Sequence, residues 1–195
     1  KYKVTFENGY VEEFDYIVMA IPFTMLRNVE LKLKNLSVEK KNCIDTLGYG
    51  QNTKLIVGYN GRPWRDSPNK NMGYLFHDTI VNGWDGSYNK NEENKSGAYV
   101  CYFGGSYSTN LHLKSHKSPK APPTHTWKTE LPSEIVECHI NSLDTVFKNS
   151  KKMVGNSHVY VNWIDYPYTN GSYSCYKVGQ WSTISGLESE PIGNI

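Results

Sequence analysis

The sequence predicts an α+β fold: a mixed, largely antiparallel sheet flanked by helices. Three observations carry that prediction. Alternating residues on both sides of Asn8-Gly9 read as a hairpin, because the left-handed turn this dipeptide adopts matches the twist of two short strands. Apolar, β-branched or aromatic runs recur at 53–59, 98–103 and 158–163, with Gly, Asn or Pro close by. Residues 135–147 instead repeat their apolar side chains at helical spacing. The order of strands and helices is irregular and no internal repeat is evident, which disfavours a repeating parallel α/β array.

The elements follow in order. Residues 1–6 and 10–14 are the two arms of the hairpin. Tyr16-Ile-Val-Met-Ala-Ile21 is a continuous apolar run, expected as a buried strand halted by Pro22. Residues 37–47 read as a helix with Ser37 as N-cap, a loose stripe of Val38, Cys43, Ile44 and Leu47, and Gly48 as its stop. Thr53–Tyr59 is a strand, and Gly61-Arg-Pro-Trp-Arg65 turns the chain. Strands are also expected at Gly73–Phe76 and Ala98–Phe103, separated by a polar, Asn-rich loop around 87–96. Residues 105–129 read as an insertion with little structure of its own. After Leu131-Pro-Ser133 a second helix carries Ile135, Val136, Ile140, Leu143, Val146 and Phe147. His158–Trp163 returns as a strand.

Composition narrows the function. A chain of 195 residues can bury a real core, as one domain or a tight pair. Lys+Arg 21 against Asp+Glu 19, with no basic block, gives no footprint for nucleic acid. Only Arg27, Arg62 and Arg65 are arginines, and Asn is abundant, so a surface Lys carries little weight. No apolar run approaches the roughly 18 residues of a membrane span, and no signal peptide is visible in a chain that starts at Lys1. Cys43, Cys101, Cys138 and Cys175 are widely spaced, which fits neither a zinc ribbon nor a disulfide scaffold. His112 and His116 have metal-ligand spacing but sit in a polar, Pro-ended stretch, so no metal is expected. The sequons at Asn35, Asn94 and Asn170 are what chance gives in an Asn-rich chain.

Two segments hold the chemistry. Trp163, Tyr166, Tyr168, Tyr173, Tyr176 and Trp181 crowd a stretch threaded with Gly, Asn and Pro. Rings presented from turns can wall a flat ligand, or can form a satellite cluster beneath a loop. The second segment is Leu47-Gly-Tyr-Gly-Gln-Asn-Thr-Lys54-Leu-Ile-Val-Gly-Tyr59. Alternation puts Lys54 on one strand face with Ile56 and Gly58. It is then either an edge-strand lysine that discourages aggregation or a partly buried, functional cation.

The order of these residues resembles the flavin-containing amine oxidases, a family that includes monoamine, polyamine and L-amino-acid oxidases; bacterial members look closest. The resemblance rests on Gly50-x-x-x-Lys54, on Ala20-Ile21-Pro22, and on Trp163, Asp165, Pro167-Tyr168, Gly171-Ser172-Tyr173, Gly179-Gln180-Trp181 and Pro191-Ile-Gly-Asn194. It implies that residues 1–29 are part of an FAD-binding domain, 30–162 a substrate-binding segment, and 163–195 a return to the FAD domain. The family's GxGxxG has no counterpart here, and its Phe-Ala-Gly-Glu motif would follow the last residue. The chain is therefore expected to be a fragment that holds little FAD alone.

By the same resemblance Lys54 and Tyr173 are the catalytic candidates. The family lysine holds a water at flavin N5, where a cation stabilises negative charge formed on reduction and reoxidation. Tyr173 is one wall of an aromatic cage for substrate, and Trp163, Ser172, Ala20 and Pro22 lie against the cofactor. Ser172 replaces the flavin-linked cysteine of mitochondrial monoamine oxidases, which implies non-covalent FAD. Trp84, in Asn82-Gly-Trp-Asp-Gly86, falls near a substrate-contacting aromatic, and a core Trp is the competing reading. Arg62 and Arg65 form a turn shared with bacterial members, without an assigned role.

The implied reaction oxidises a primary or secondary amine by hydride transfer, with O2 as acceptor and H2O2 as product. Small-molecule amine and O2 are the expected partners, a homodimer is compatible, and either a cytoplasmic or an exported bacterial protein fits. The alternatives are a same-fold desaturase or porphyrinogen-type oxidase, and a non-catalytic aromatic-rich binding module.

Overall fold

The computed structural model describes residues 1–66, 68–87, 96–115 and 133–195, with side chains of the third segment described through residue 111. His116, the side chain of His112, Asn94 and most of the expected 87–96 loop lie outside the described residues. In chain order the elements are β1 (Tyr2–Thr5), β2 (Val11–Phe14), α1 (Phe23–Leu26), α2 (Val38–Thr46), β3 (Gly48–Tyr49), β4 (Thr53–Tyr59), β5 (Leu75–His77), β6 (Val81–Asp85), β7 (Gly97–Phe103), α3 (Gly105–Ser115), α4 (Ser133–Val146), β8 (Val154–Asn162), β9 (Ser174–Cys175) and α5 (Gln180–Ile184). This is the α+β class read from the sequence, and every described ladder is antiparallel.

The chain divides into two compact units. The first comprises Lys1–Tyr49, Tyr168–Asn170 and Ser174–Ile195; the second comprises Gly50–Pro167 and Gly171–Tyr173. Residues 30–49, expected with the substrate-binding segment, pack within the first.

In the first unit β1 and β2 form the expected hairpin, with Gly9 at φ 83° in its turn. Ser37 caps α2 by accepting from the Lys40 N–H at 3.0 Å. Cys43, Ile44 and Leu47 are buried, whereas Val38, expected in the same stripe, is exposed. The Lys40 ammonium is buried and donates to Leu187 O (2.6 Å) and Glu188 O (3.1 Å). Those two carbonyls satisfy a cation that burial would otherwise penalise.

The expected strand at Tyr16–Ile21 does not form. Ile17 N donates to Asn194 O at 3.1 Å, but no ladder develops, and Tyr16, Val18 and Ile21 are exposed. β-propensity without a paired neighbour does not make a strand.

The second unit is a five-stranded sheet ordered β5-β6-β7-β4-β8. One sheet face packs its core: Leu55, Val57, Tyr59, Tyr99, Cys101, Phe103 and Tyr160 meet Val136, Ile140, Leu143 and Phe147 around α4. Trp64 centres the aromatic part, with ring centroids 5.0 Å from Tyr99 and 5.4 Å from Tyr59. Val146, placed in the helical stripe by periodicity, is instead 39% exposed. The expected insertion at 105–129 is corrected over its first eleven residues, which form α3. Leu111 enters the core, and the buried Ser108 hydroxyl meets Thr53 Oγ1 at 3.0 Å. Tertiary packing here overrides a weak local helix signal. Among the described residues, no helix is long and apolar enough to cross a membrane.

Candidate active site

The site lies on the sheet face turned away from the core of the second unit. In β4, Thr53, Leu55, Val57 and Tyr59 are buried, while Lys54, Ile56 and Gly58 are half-buried. Antiparallel register puts Tyr102 and Val161 directly beside Lys54, and Val100 and Val159 beside Ile56. Trp84 pairs with Val100 from the next strand outward. β4 therefore has hydrogen-bonded neighbours on both sides, and the edge-strand reading of Lys54 does not hold.

Lys54 Nζ lies 5.5 Å from the Tyr102 ring centroid and 5.8 Å from that of Trp84, and those two rings are 5.8 Å apart. No hydrogen bond or ion pair engages this ammonium among the described residues. Its company is two π faces, each attractive to a cation through the ring quadrupole. Tyr102 was not singled out by the sequence. Its position between the buried Cys101 and Phe103 marks it as outward-facing, but cross-strand register was needed to bring it to Lys54.

The two motifs that carried the resemblance meet in this unit although they are over a hundred residues apart. Gly50 N donates to Tyr173 O at 2.7 Å, and Ser172 N donates to Gly50 O at 2.9 Å. Ser172 Oγ donates to Asn52 Oδ1 at 2.5 Å, and Asn52 Nδ2 donates to Phe103 O at 3.3 Å. A Cβ at Gly50 would sit 2.9 Å from both Asn52 Oδ1 and Ser172 Oγ. A side chain there would have to displace the ends of the Asn52 and Ser172 side chains.

Tyr173 is 64% exposed, so its ring is available to a ligand. Burial, and then the Tyr173 hydroxyl beside it, push the Tyr102 hydroxyl well above the usual tyrosine range. Trp163 is half-buried, stands edge-on to Tyr166 at 5.9 Å, and its carbonyl accepts from Gly171 N at 2.9 Å. That bond ties the end of β8 to the Gly171-Ser172-Tyr173 loop.

Lys54, Trp84, Trp163, Ser172 and Tyr173 therefore all belong to the second unit. Ala20 and Pro22 belong to the first. Ala20 is exposed, and Pro22 caps α1, its carbonyl accepting from Met25 N and Leu26 N at 2.9 and 3.0 Å. Arg65 forms an ion pair with Asp85, Nη2 to Oδ2 2.5 Å, which is a structural use of the turn. Burial raises the Asp85 carboxyl, but hydrogen bonds from Ser87 and Arg65 outweigh it and hold the group below the usual range. No cluster of three or more His, Cys, Asp or Glu able to hold a metal occurs among the described residues.

The chain matches the family model of flavin containing amine oxidoreductases over residues 1–195, and it belongs to that family. Its fold is similar to cyclohexylamine oxidase from Brevibacterium oxydans IH-35A, at TM-score 0.76 and 13% identity, over 97% of this chain and 38% of that one. It is also similar to a putrescine oxidase triple mutant from a redesign of cofactor binding (TM-score 0.75, 14% identity, 99% and 38% covered). Wild-type putrescine oxidase bound to putrescine gives TM-score 0.74 and 13% identity, with 97% and 38% covered. The chain thus spans under two fifths of the length of these structures. None of the curated proteins compared with it matches.

The family implies a flavin cofactor, and the residues on the open face fit one. Tyr173 and Trp84 offer flat apolar walls, and Lys54 would supply a cation for negative charge on a reduced ring system.

Proposed function

We propose that this chain supplies the substrate-facing sheet and part of the cofactor face of an FAD-dependent oxidase of primary or secondary amines. The observation that carries the reading is the pairing of Gly50 with Ser172 and Tyr173, which brings Gly50-x-x-x-Lys54 and Gly171-Ser172-Tyr173 into one site. The first unit is read as the FAD-domain portion, where Ala20 and Pro22 lie against the cofactor, and the second as the substrate-binding portion.

Bound FAD would supply a hydride acceptor for the amine and an electron-pair donor to O2, so that amine and O2 would give imine and H2O2. Tyr173 and Trp163 orient the substrate. An apolar aromatic slot penalises the ammonium form and favours the neutral amine, the form able to give up hydride. Trp84 extends the apolar wall. Lys54 holds a positive charge where negative charge develops, on its own or through a water. Ser172 has a hydroxyl where a thioether would need a thiol, so the FAD is held without a covalent bond. The donated hydrogen bond to Asn52 fixes that hydroxyl instead.

The test is Lys54→Met, which keeps length and removes charge. Reduction by substrate should persist, while reoxidation by O2 slows on the order of a hundredfold in stopped-flow traces. Unchanged reoxidation would remove Lys54 from the mechanism. The desaturase and porphyrinogen-type alternatives share the fold, but the combination of Lys54 with a cage tyrosine suits an amine. The binding-module alternative does not explain why the two motifs meet.

A further inference from the structure

We propose that Trp84 and Tyr102 act through Lys54, as an aromatic box that aims its ammonium; the inference rests on the role given to Lys54 above. Three strands build the box. Lys54 on β4 reaches past its register partner Tyr102 on β7 toward Trp84 on β6, and its Nζ stands 5.5 and 5.8 Å from the two ring centroids. The rings also brace each other at 5.8 Å with an interplanar angle of 54°.

The position of Trp84 depends on a local irregularity. Val81 and Asn82 both pair with Tyr102, a bulge of two residues against one. Val81 sits at φ 63°, a left-handed conformation that a β-branched residue rarely adopts. A one-residue change of register reverses the face of every later side chain. Without the extra residue, Trp84 would point into the core and the box would lose a wall. The strained backbone is thus located where it puts an indole beside the lysine, which is where strain carries functional information.

A flexible lysine with hydrogen-bonding partners could swing among them. With the Tyr102 and Trp84 rings beside it, the ammonium is confined to one direction. Trp84 and Tyr102 are therefore positioning residues, and the Trp84 ring is explained by contact with Lys54 as well as with substrate.

The test has two readouts on one variant set: Trp84→Leu, Tyr102→Leu, Tyr102→Phe and Lys54→Met. In the flavin-free protein, ring currents should move the Lys54 ε-methylene NMR resonances upfield of the other lysines. That shift should shrink in both Leu variants and persist in Tyr102→Phe. In the flavin-loaded protein each Leu variant should slow reoxidation on the order of tenfold, Tyr102→Phe should restore most of the rate, and neither Leu change should matter once Lys54→Met is present. A Lys54 resonance at the ordinary position overturns the box. So does a Leu effect on reoxidation that survives in Lys54→Met, since the rings would then act on that step without Lys54. If the resonance is shifted but Lys54→Met reoxidises normally, the box stands as a structural fact. The catalytic role given to Lys54, and the positioning role drawn from it, both fall.

Discussion

In the proposed function Tyr173 and Lys54 divide the chemistry at the scale of the residue. Tyr173 offers an exposed ring, and its carbonyl is pinned by Gly50 N at 2.7 Å, so the side chain projects from a fixed backbone. A ring acting as a wall should tolerate loss of its hydroxyl. Tyr173→Ala is expected to lower kcat/KM by about 1–3 kcal/mol equivalent, and Tyr173→Phe by much less. Steady-state kinetics on both variants check this. Phe proving as damaging as Ala would replace the wall with a proton-transfer role. In the proposed function Lys54 differs in kind: its effect would be a charge, felt in the step where negative charge moves onto oxygen. The sequence carried both residues by motif, and alternation placed Lys54 on the half-buried face. Tyr102, the residue that touches Lys54 across the strand boundary, was not legible, because register between distant strands is set by the whole sheet and not by local spacing.

At the scale of the element, β6 is held by ionic and turn contacts as well as by ladder bonds. Asp85 ends β6, its side chain is only 5% exposed, and it accepts from Arg65 and from Ser87 N. Its folded-state pKa is depressed, so its stabilisation is fully present above the unfolded value of roughly 3.9 and is lost as pH falls through the folded value. Asp85→Asn should cost about 2 kcal/mol at neutral pH and flatten the fall in Tm below roughly pH 4. Melting curves across that range decide it; a variant that keeps the wild-type acid slope would assign the slope to other carboxylates.

Elements with a strong local signal were legible: the Asn-Gly hairpin, the Ser37-capped helix, β4, β7 and the apolar stripe of α4. Those that depend on distant partners were not. The run at Tyr16–Ile21 has strand composition and no ladder, and α3 has weak composition but a buried Ser108–Thr53 contact and Leu111 in the core. β6 was missed because its bulge and its Gly83 break the alternation that marks a strand.

For the whole molecule, two compact units within one chain place motif residues in both, with Ala20 and Pro22 in the first and the others in the second. Family membership follows from a match along all 195 residues, while the fold likeness at 13–14% identity leaves the amine unassigned. No glycine-rich strand-to-helix turn of the GxGxxG kind lies within these residues to cradle a pyrophosphate. The 195 residues alone are therefore expected to purify without stoichiometric flavin, and one equivalent of flavin absorbance co-eluting with the chain would contradict that.

The central claim concerns the flavin-loaded protein that carries this chain. It is tested most directly by anaerobic mixing with a panel of alkyl, aryl and diamine substrates and amino acids, followed by admission of O2. The account predicts that at least one amine bleaches the flavin band, and that O2 restores it with one H2O2 formed per amine oxidised. Flavin that no amine reduces, or that is reduced but returns without H2O2, would contradict it.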